Sequence, residues 1–350
     1  MNKKNIIIGV IVVLFVALSY INGFVPFLPE ITAVLVPFNI ILLVAGFVML
    51  IKGADIFVES ASKIATKFNI PQMIIGLTIV AFGTSLPEAA ISIKGAFSGN
   101  AGITVGNVVG SNIMNILLIL GVASCIAALP IKKNTLIIEI PFVIAITILL
   151  LVLGMIGGEL SRVDGVIFIL LFIAFMVYLF ISAKNGEADD DETVVGEKDT
   201  MFKLIVFVVL GGVCIVLGSN ATVDAASYIA GKCGMDDRLI GLTVVAFGTS
   251  LPELMTSATA AKKGKVDIAI GNIVGSNIFN IIFVIGLCAC ITNIPFVTAF
   301  IKDTAVAIFA AVLLLLCVIK NKKLTRTGGI IMLVSYAIYF CYIIYMNYFA

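Results

Sequence analysis

The chain contains one polar phrase twice, and this duplication constrains its fold more than any other feature. Residues 76–88 read GLTIVAFGTSLPE, and residues 241–253 repeat this phrase with one substitution. A second phrase follows each copy at the same distance, GNVVGSNIMN at 106–115 and GNIVGSNIFN at 271–280. Corresponding residues of the two copies lie 165 positions apart. The sequence therefore predicts two halves of similar structure.

Both copies are embedded in strongly apolar sequence. Of the 350 residues, 61% are hydrophobic and 12% are charged, and this charged fraction is about half that of a soluble domain. Apolar runs long enough to cross a bilayer recur from end to end. We therefore expect an all-α integral membrane protein. The chain has no histidine, which argues against zinc transport and favours cations that bind oxygen ligands.

The apolar runs predict eleven membrane-spanning helices. The first, residues 5–25, is long for a cleaved signal peptide, so we expect it to be retained, with cleavage as the alternative. Residues 26–37 contain three prolines and are expected to form a connection. The other ten spans are expected at 38–66, 72–94, 102–127, 135–156, 163–183, 201–231, 237–261, 267–292, 298–319 and 326–348.

These spans divide the core into two halves of five helices each. We assign 1–33 to the N-terminal extra helix or signal anchor, 34–183 to the first repeat, 184–200 to an acidic cytoplasmic linker and 201–350 to the second repeat. Because five is odd, two such halves in series must have opposite orientations in the membrane. The expected fold class is an inverted repeat of two five-helix halves, which is a ten-helix core plus one extra helix.

Lysine and arginine placement gives an independent indication of orientation. With the N-terminus inside, most of these residues fall in segments predicted to be cytoplasmic, as the positive-inside rule requires. The loop at 262–265 carries three lysines, whereas the corresponding loop at 94–97 carries one. We therefore expect a cytoplasmic N-terminus and an external C-terminus in the plasma membrane. Cleavage of the first helix would leave ten spans and an external N-terminus.

Each copy of the first phrase places one carboxylate, Glu88 or Glu253, within a predicted span. A charged carboxylate at the bilayer centre costs about 2.5 kcal/mol or more, so each is expected to face a polar interior. Pro87 and Pro252 remove a backbone donor just before these acids, so the carbonyls of the preceding turn are expected to line a cavity or bind an ion. A purely structural buried carboxylate remains the alternative.

The other polar residues of the phrases also supply oxygen ligands. They recur four positions apart, a spacing that puts them on one face of a helix, in the pairs Thr84–Glu88, Ser111–Asn115, Thr249–Glu253 and Ser276–Asn280. Carboxylate, hydroxyl and amide oxygens suit a hard cation, and two negative charges balance one divalent ion. The glycines at 106, 110, 271 and 275 form G-x-x-x-G spacings that permit close helix packing.

With these motifs the sequence resembles the cation/calcium exchanger superfamily, whose two α-repeats carry G-T-S-x-P-E and G-[SN]-x-x-x-[ND] elements. It is most similar to the prokaryotic sodium/calcium exchanger branch, from about residue 38 to residue 348. The resemblance implies a ten-helix core whose helices two, three, seven and eight build the site. It implies that calcium and sodium share Glu88 and Glu253, with further ligands from Thr84, Ser85, Ser111, Asn115, Thr249, Ser250, Ser276, Asn280 and the backbone of Ala81 and Ala246.

The function expected from this resemblance is secondary-active exchange of sodium for calcium by alternating access, with both ions competing for one midplane site. Calcium and sodium are then transported ions, with no cofactor and no enzymatic activity. The lipid bilayer is the other expected partner, without nucleic acid, and we expect a monomer. Potassium-dependent members carry Asp where this chain has Asn115 or Asn280, which disfavours potassium co-transport. Potassium- or proton-coupled calcium antiport and a divalent cation channel remain the alternatives.

Overall fold

The structure, a computed structural model, describes residues 32–97, 101–185, 199–234 and 246–348. The helices are α1 Thr32–Phe68, α2 Gln72–Thr84, α3 Leu86–Phe97, α4 Gly102–Ile126, α5 Thr135–Gly157, α6 Arg162–Asn185, α7 Met201–Lys232, α8 Ala246–Thr249, α9 Leu251–Lys262, α10 Val266–Ile291, α11 Thr298–Ile319 and α12 Arg326–Tyr348. Four two-residue strands join them, β1 Leu129–Pro130, β2 Glu159–Leu160, β3 Ile294–Pro295 and β4 Lys323–Leu324.

Within these ranges, eight helices are long and apolar enough to cross a membrane. A ninth span is formed if α2 and α3, which meet at a bend of 51°, cross the membrane together. The chain is therefore a multi-pass membrane protein. Of the predicted spans, 5–25 lies outside the described residues and 237–261 is described only from Ala246 onward.

The expected connection over 26–37 is wrong in its described part. Helix α1 already begins at Thr32 and includes Pro37. Pro37 removes only one backbone donor near the start of a long helix, a loss that membrane helices tolerate. The other end of α1 agrees with the prediction, because the helix stops at Phe68 and Asn69 has a positive φ of 56°.

Helices α1 and α7 pack along each other through duplicated glycines. A Cβ atom added to Gly46 would lie 2.9 Å from the Gly218 carbonyl oxygen, and one added to Gly53 would lie 3.0 Å from that of Gly211. These positions must therefore stay free of side chains for the backbones to meet. Advancing along α1 from Gly46 to Gly53 means moving backward along α7, so the two helices run antiparallel.

The short strands close the two ends of the helix bundle. Strand β1 pairs with β4, and β2 pairs with β3, in both cases antiparallel. Helix α5 lies between β1 and β2 and has 23 residues, which corresponds to about 34 Å at 1.5 Å per residue. The β1–β4 pair and the β2–β3 pair therefore lie at opposite ends. Pro130 of β1 and its counterpart in the other half, Pro295 of β3, are thus at opposite ends as well.

Ion pairs add contacts between the first half and the segments that follow it. They are Lys63–Asp199 at 3.2 Å, Lys132–Asp267 at 2.9 Å and Lys263–Asp55 at 3.3 Å. All of these side chains are partly exposed, and such pairs contribute about 1 kcal/mol or less each. Apolar packing between helices therefore contributes most of the stability. Its core consists of buried Leu, Ile, Val and Ala side chains.

Several described helices widen into π-helical turns. These turns are Gly76–Val80 in α2, Asn115–Leu120 in α4, Thr135–Glu139 in α5 and Phe279–Ile285 in α10. A π turn inserts an extra residue into a helix and is frequent at functional sites. Two of these turns begin at or just before Asn115 and Asn280, two of the predicted ligands.

Candidate cation site

Helices α4 and α10 cross at a pair of corresponding asparagines. The side-chain amide of Asn112 donates to the backbone carbonyl of Asn277 at 3.2 Å, and the side-chain amide of Asn277 donates to the backbone carbonyl of Asn112 at 3.4 Å. Both residues are buried. Each position therefore meets its own counterpart, and the crossing holds the two second phrases against each other.

The first phrases meet at the same place through crossed hydrogen bonds. Ser85 Oγ donates to Glu253 Oε1 at 2.8 Å, and Ser250 Oγ lies 3.4 Å from Glu88 Oε1. Glu88 is fully buried and Glu253 is 1% exposed. The structure thus brings the two predicted acids of the halves into one buried cluster.

Both serines occupy the same irregular backbone conformation. Ser85 separates α2 from α3 with φ −86° and ψ 7°, and Ser250 separates α8 from α9 with φ −92° and ψ 5°. This sparsely populated region of backbone space is common at functional positions. The repeated break aims each hydroxyl at the acid of the other half.

Asn115 and Asn280 use their amide nitrogens to hold the crossing. Asn115 Nδ2 donates to Asn277 Oδ1 at 3.0 Å, and Asn280 Nδ2 donates to Asn112 Oδ1 at 3.1 Å. The amide nitrogens are therefore committed to the asparagine network, and the amide oxygens Oδ1 of both residues are left for another partner.

Four buried oxygens of this cluster have no hydrogen-bond donor among the described residues. They are Glu88 Oε2, Glu253 Oε2, Asn115 Oδ1 and Asn280 Oδ1. A buried acceptor without a partner costs about 1–3 kcal/mol, and more when it is charged. A cation satisfies several such acceptors at once, and carboxylate and amide oxygens are ligands that calcium prefers.

Three more predicted ligands border this cluster, namely Ser111, Ser276 and the backbone of Ala81. Ser111 Oγ lies 3.5 Å from Ser250 Oγ, and Ser276 Oγ lies 3.4 Å from the Ala81 carbonyl. The Thr84 hydroxyl lies 2.9 Å from Asn272 Oδ1, so it contacts the crossing helix.

The next two predicted ligands, Thr249 and Ala246, are the counterparts of Thr84 and Ala81 in the second half. Thr249 is half-buried, and it lines a cavity of about 860 Å³ together with Gly83 and Pro87. Ala246 begins α8 at the edge of the described residues, and the described contacts do not include its carbonyl. A larger cavity of about 1170 Å³ reaches Ser111 and Asn107 from the side of α11 and α12.

The expectation that proline frees the backbone carbonyls before Glu88 is wrong for Ala81. The Ser85 N–H donates to the Ala81 carbonyl at 3.0 Å, so this backbone bond is intact. Pro87 lacks the donor that would reach Gly83, four residues earlier. The second lone pair of the Ala81 oxygen already has neighbours, because Thr84 Oγ1 lies 3.3 Å and Ser276 Oγ lies 3.4 Å from it.

In the second half a hydroxyl takes the place of the missing proline donor. Pro252 leaves the Gly248 carbonyl without its helical partner, and Ser219 Oγ of α7 donates to this carbonyl at 2.7 Å. The proline break therefore creates a docking point for a neighbouring helix here.

The structure also gives roles to asparagines that the sequence analysis did not select. Asn107 Nδ2 donates to the Glu88 carbonyl at 3.0 Å, and Asn272 Nδ2 lies 3.4 Å from the Glu253 carbonyl. Each tethers the backbone of an acid to the crossing helix. The signal that could have found them, and Asn112 with Asn277, is the duplication itself, since all four recur 165 positions apart.

The predicted glycine packing is seen on α10 but not on α4, where a Cβ atom on Gly110 would meet nothing within 4 Å. A Cβ atom on Gly271 would lie 2.8 Å from the Met73 carbonyl oxygen, and one on Gly275 would lie 2.7 Å from that of Leu77. The absence of side chains at these two glycines lets α10 lie directly on the backbone of α2, which brings Ser276 to Ala81.

Comparison with known proteins identifies the family. The profile of the family described as sodium/calcium exchanger protein matches residues 38–181 and again residues 203–345. The chain is 38% identical over 305 residues to the putative antiporter CaxA of Alkalimonas amylolytica, covering 85% of this chain and 95% of the relative. It is 31% identical over 346 residues to the sodium/calcium exchanger MaX1 of Methanosarcina acetivorans, covering 88% of this chain and 99% of the relative.

A solved structure shows the same likeness. The sodium-calcium exchanger NCX_Mj, soaked with sodium and calcium, superposes with a TM-score of 0.74 at 32% sequence identity, covering 89% of this chain and 99% of the other. The resemblance inferred from the two duplicated phrases is thus confirmed over nearly the whole chain. The chain belongs to the sodium/calcium exchanger family, and it is a multi-pass cation/calcium antiporter and not an enzyme.

Proposed function

We propose that this protein exchanges sodium for calcium by alternating access, and that both ions compete for the oxygen cluster between the two halves. The observation that carries this proposal is the set of four partnerless buried oxygens, two from carboxylates and two from amides. Glu88 and Glu253 supply two negative charges, which balance one calcium ion or more than one sodium ion. Because the same oxygens serve both ions, binding of one excludes the other, and the two fluxes are coupled.

Residues 34–183 and 201–350 form the two inverted halves in this proposal, joined by the linker at 184–200. Three features support the inversion. Helices α1 and α7 are antiparallel through reciprocal glycines, the corresponding strands β1 and β3 lie at opposite ends of the bundle, and Asn112 and Asn277 bond reciprocally. A two-fold axis in the membrane plane relates contacts of this kind.

The long helices α1 and α7 are the moving parts in this proposal. They pack on each other through glycines, and α7 touches the site helices through Ser219 and Gly248. Rocking of this pair against α2, α3, α8 and α9 opens the cluster to one side of the membrane at a time. The ligand shell is completed in one or the other state by Ala81, Thr84, Ser85 and Ser111 of the first half and by Ala246, Thr249, Ser250 and Ser276 of the second half.

The protein acts in the plasma membrane as a monomer in this proposal, with the N-terminus in the cytoplasm. The family supports sodium and calcium as the transported ions, and NCX_Mj, which was soaked with both ions, undergoes extracellular ion exchange and induced binding-site occlusion. The proposal extends these properties to the present chain through its matching residues.

The test is calcium uptake into proteoliposomes loaded with sodium. Wild-type protein should accumulate calcium against its gradient, and the uptake should stop when internal sodium is replaced by potassium, protons or choline. Glu253→Gln should reduce uptake to background, while Glu159→Gln, at an exposed acid that binds Asn293, should leave it unchanged. Uptake that needs no counter-ion would indicate a channel, and full exchange by Glu253→Gln would remove the carboxylate from the mechanism.

A further inference from the structure

A second cluster of buried oxygens lies where α5 begins. Glu139 is 2% exposed and Thr135 is 1% exposed. Tyr178 of α6 donates its hydroxyl to Glu139 Oε1 at 2.6 Å. Glu139 Oε2 and Thr135 Oγ1 are buried and have no hydrogen-bond partner among the described residues. A carboxylate held by a phenol on one oxygen thus keeps its other oxygen available.

Glu139 and Thr135 line the same cavity. Thr135 and Glu139 are the first and last residues of the π turn at the start of α5, and residues four apart on such a turn lie on similar faces. A cavity of about 320 Å³ is lined by both residues and by Ser182 and Asn134. This volume accommodates a cation with several waters, since one water molecule occupies about 30 Å³ in the liquid.

The lysines beside this cavity do not neutralise Glu139. Lys132 Nζ lies 2.9 Å from the carboxylate of Asp267, so its charge is already paired. Lys133 is exposed to solvent, where water and salt screen its charge. The carboxylate of Glu139 therefore remains the negative charge of the cavity that no described cation pairs with.

We propose that Glu139 and Thr135 bind a monovalent cation, sodium, at a site separate from the central cluster, with Tyr178 fixing the orientation of the carboxylate. A single carboxylate matches the charge of one sodium ion. Calcium would need six to eight oxygens and more negative charge than this cavity offers. The hydroxyls of Thr135 and Ser182 and cavity water supply neutral ligands. This site does not depend on the proposed transport mechanism.

The position of the cavity gives this ion a regulatory consequence. Its other wall is formed by Pro71, Met73 and Ile74, which lie at the start of α2. Ala81 lies seven residues further along, about 10 Å at 1.5 Å per residue. A sodium ion at Glu139 therefore stabilises the observed position of the helix that carries Ala81 and Thr84 to the central cluster. Sodium on this side of the membrane would then act on transport without itself being transported.

The test is binding of radiolabelled sodium to purified protein in which the central acids are replaced, Glu88→Gln with Glu253→Gln. This variant should still bind one sodium ion per chain. Adding Glu139→Gln should weaken that binding at least about tenfold, because a neutral amide replaces the only carboxylate of the cavity. Asp303→Asn is the matched control, since Asp303 accepts from Tyr339 at 3.0 Å in the second half, and it should leave the binding unchanged.

A second measurement covers the case in which the central double variant does not fold. In the otherwise wild-type chain, Glu139→Gln should lower the number of sodium ions bound at saturation by one, and Asp303→Asn should not. Unchanged sodium binding in Glu139→Gln, in either background, overturns the site and leaves Glu139 as a structural acid bonded to Tyr178. Loss of calcium binding instead of sodium binding also overturns it. Neither result bears on exchange at Glu88 and Glu253, which the flux assay tests separately.

Discussion

The two halves of the chain make equivalent hydrogen bonds at the centre of the site and different ones at its edge. At the centre, Ser85 and Ser250 each reach the acid of the other half, and Asn112 and Asn277 exchange identical hydrogen bonds. At the edge, Ser219 docks on the Gly248 carbonyl, while the position corresponding to Ser219 in the first half is Ala54 and offers no hydroxyl.

A further difference concerns the threonines that precede the serines. Thr84 is buried and lies 2.9 Å from Asn272 Oδ1. Thr249, with the same neighbours in sequence, is half-buried and lines a cavity. One phrase thus adopts two environments in one molecule. Under the proposed mechanism, this asymmetry is what an inverted repeat needs, because the two halves exchange environments when access switches.

The largest expected effect tests whether the two acids at the centre of the site are equivalent. Glu88→Gln and Glu253→Gln should each lower sodium-driven calcium uptake by about a hundredfold or more, because each removes a charged ligand from the proposed shared site. The double variant should be no worse than either alone. Calcium flux into proteoliposomes measures all three variants. If one of the two single variants kept wild-type uptake, the two acids would not be equivalent.

A second test concerns the asparagine crossing. Asn112→Ala and Asn277→Ala should each reduce uptake by about tenfold, because each removes the group that orients an amide ligand of the other half. The two losses should agree within a factor of about three. Calcium affinity, read from the concentration dependence of uptake, should weaken in both. A large difference between the two would mean that one half governs the crossing.

A third test addresses the antiparallel pair of long helices. Gly46→Leu and Gly218→Leu should each destabilise the protein by about 1–3 kcal/mol, because the added side chain meets the backbone of the other helix. Thermal unfolding in detergent measures this loss. Gly157→Leu is the matched control, since a Cβ atom there would meet nothing within 4 Å. Equal melting temperatures in all three variants would contradict the glycine contact.

The smallest effect tests the difference between the halves. Ser219→Ala should lower stability by about 1 kcal/mol, because the Gly248 carbonyl loses its donor. Ala54→Ser adds a hydroxyl at the corresponding position of the first half and should not lower stability or transport by the same amount. Measuring both by thermal unfolding and flux decides whether the Ser219 contact belongs to one half only.

The sequence predicts the helices and the acids because both leave direct signals. Long apolar runs mark spans, and duplication singles out Glu88, Glu253 and their neighbours. It misjudges the start of α1, because Pro37 is a general helix breaker that membrane helices tolerate near an end. The strand pairs at the bundle ends leave no signal, since two-residue strands have no periodicity.

The sequence predicts which residues belong to the site better than it predicts the contacts between them. Ser85 interrupts the helix between Thr84 and Glu88, and Thr84 bonds Asn272 of the crossing helix. The intact Ala81 hydrogen bond and the role of Ser219 depend on where a neighbouring helix lies, which spacing alone does not encode. Glu139 gave no signal either, because its phenol partner is 39 residues away in another helix.

The contact between Asn112 and Asn277 joins two corresponding residues of the two halves. It is self-complementary, as the interface of a two-fold symmetric dimer is. A gene for one half alone already encodes both partners of this contact. Two copies of a single half, made as separate polypeptides, could therefore recognise each other back to back through the same asparagine, with no second sequence required.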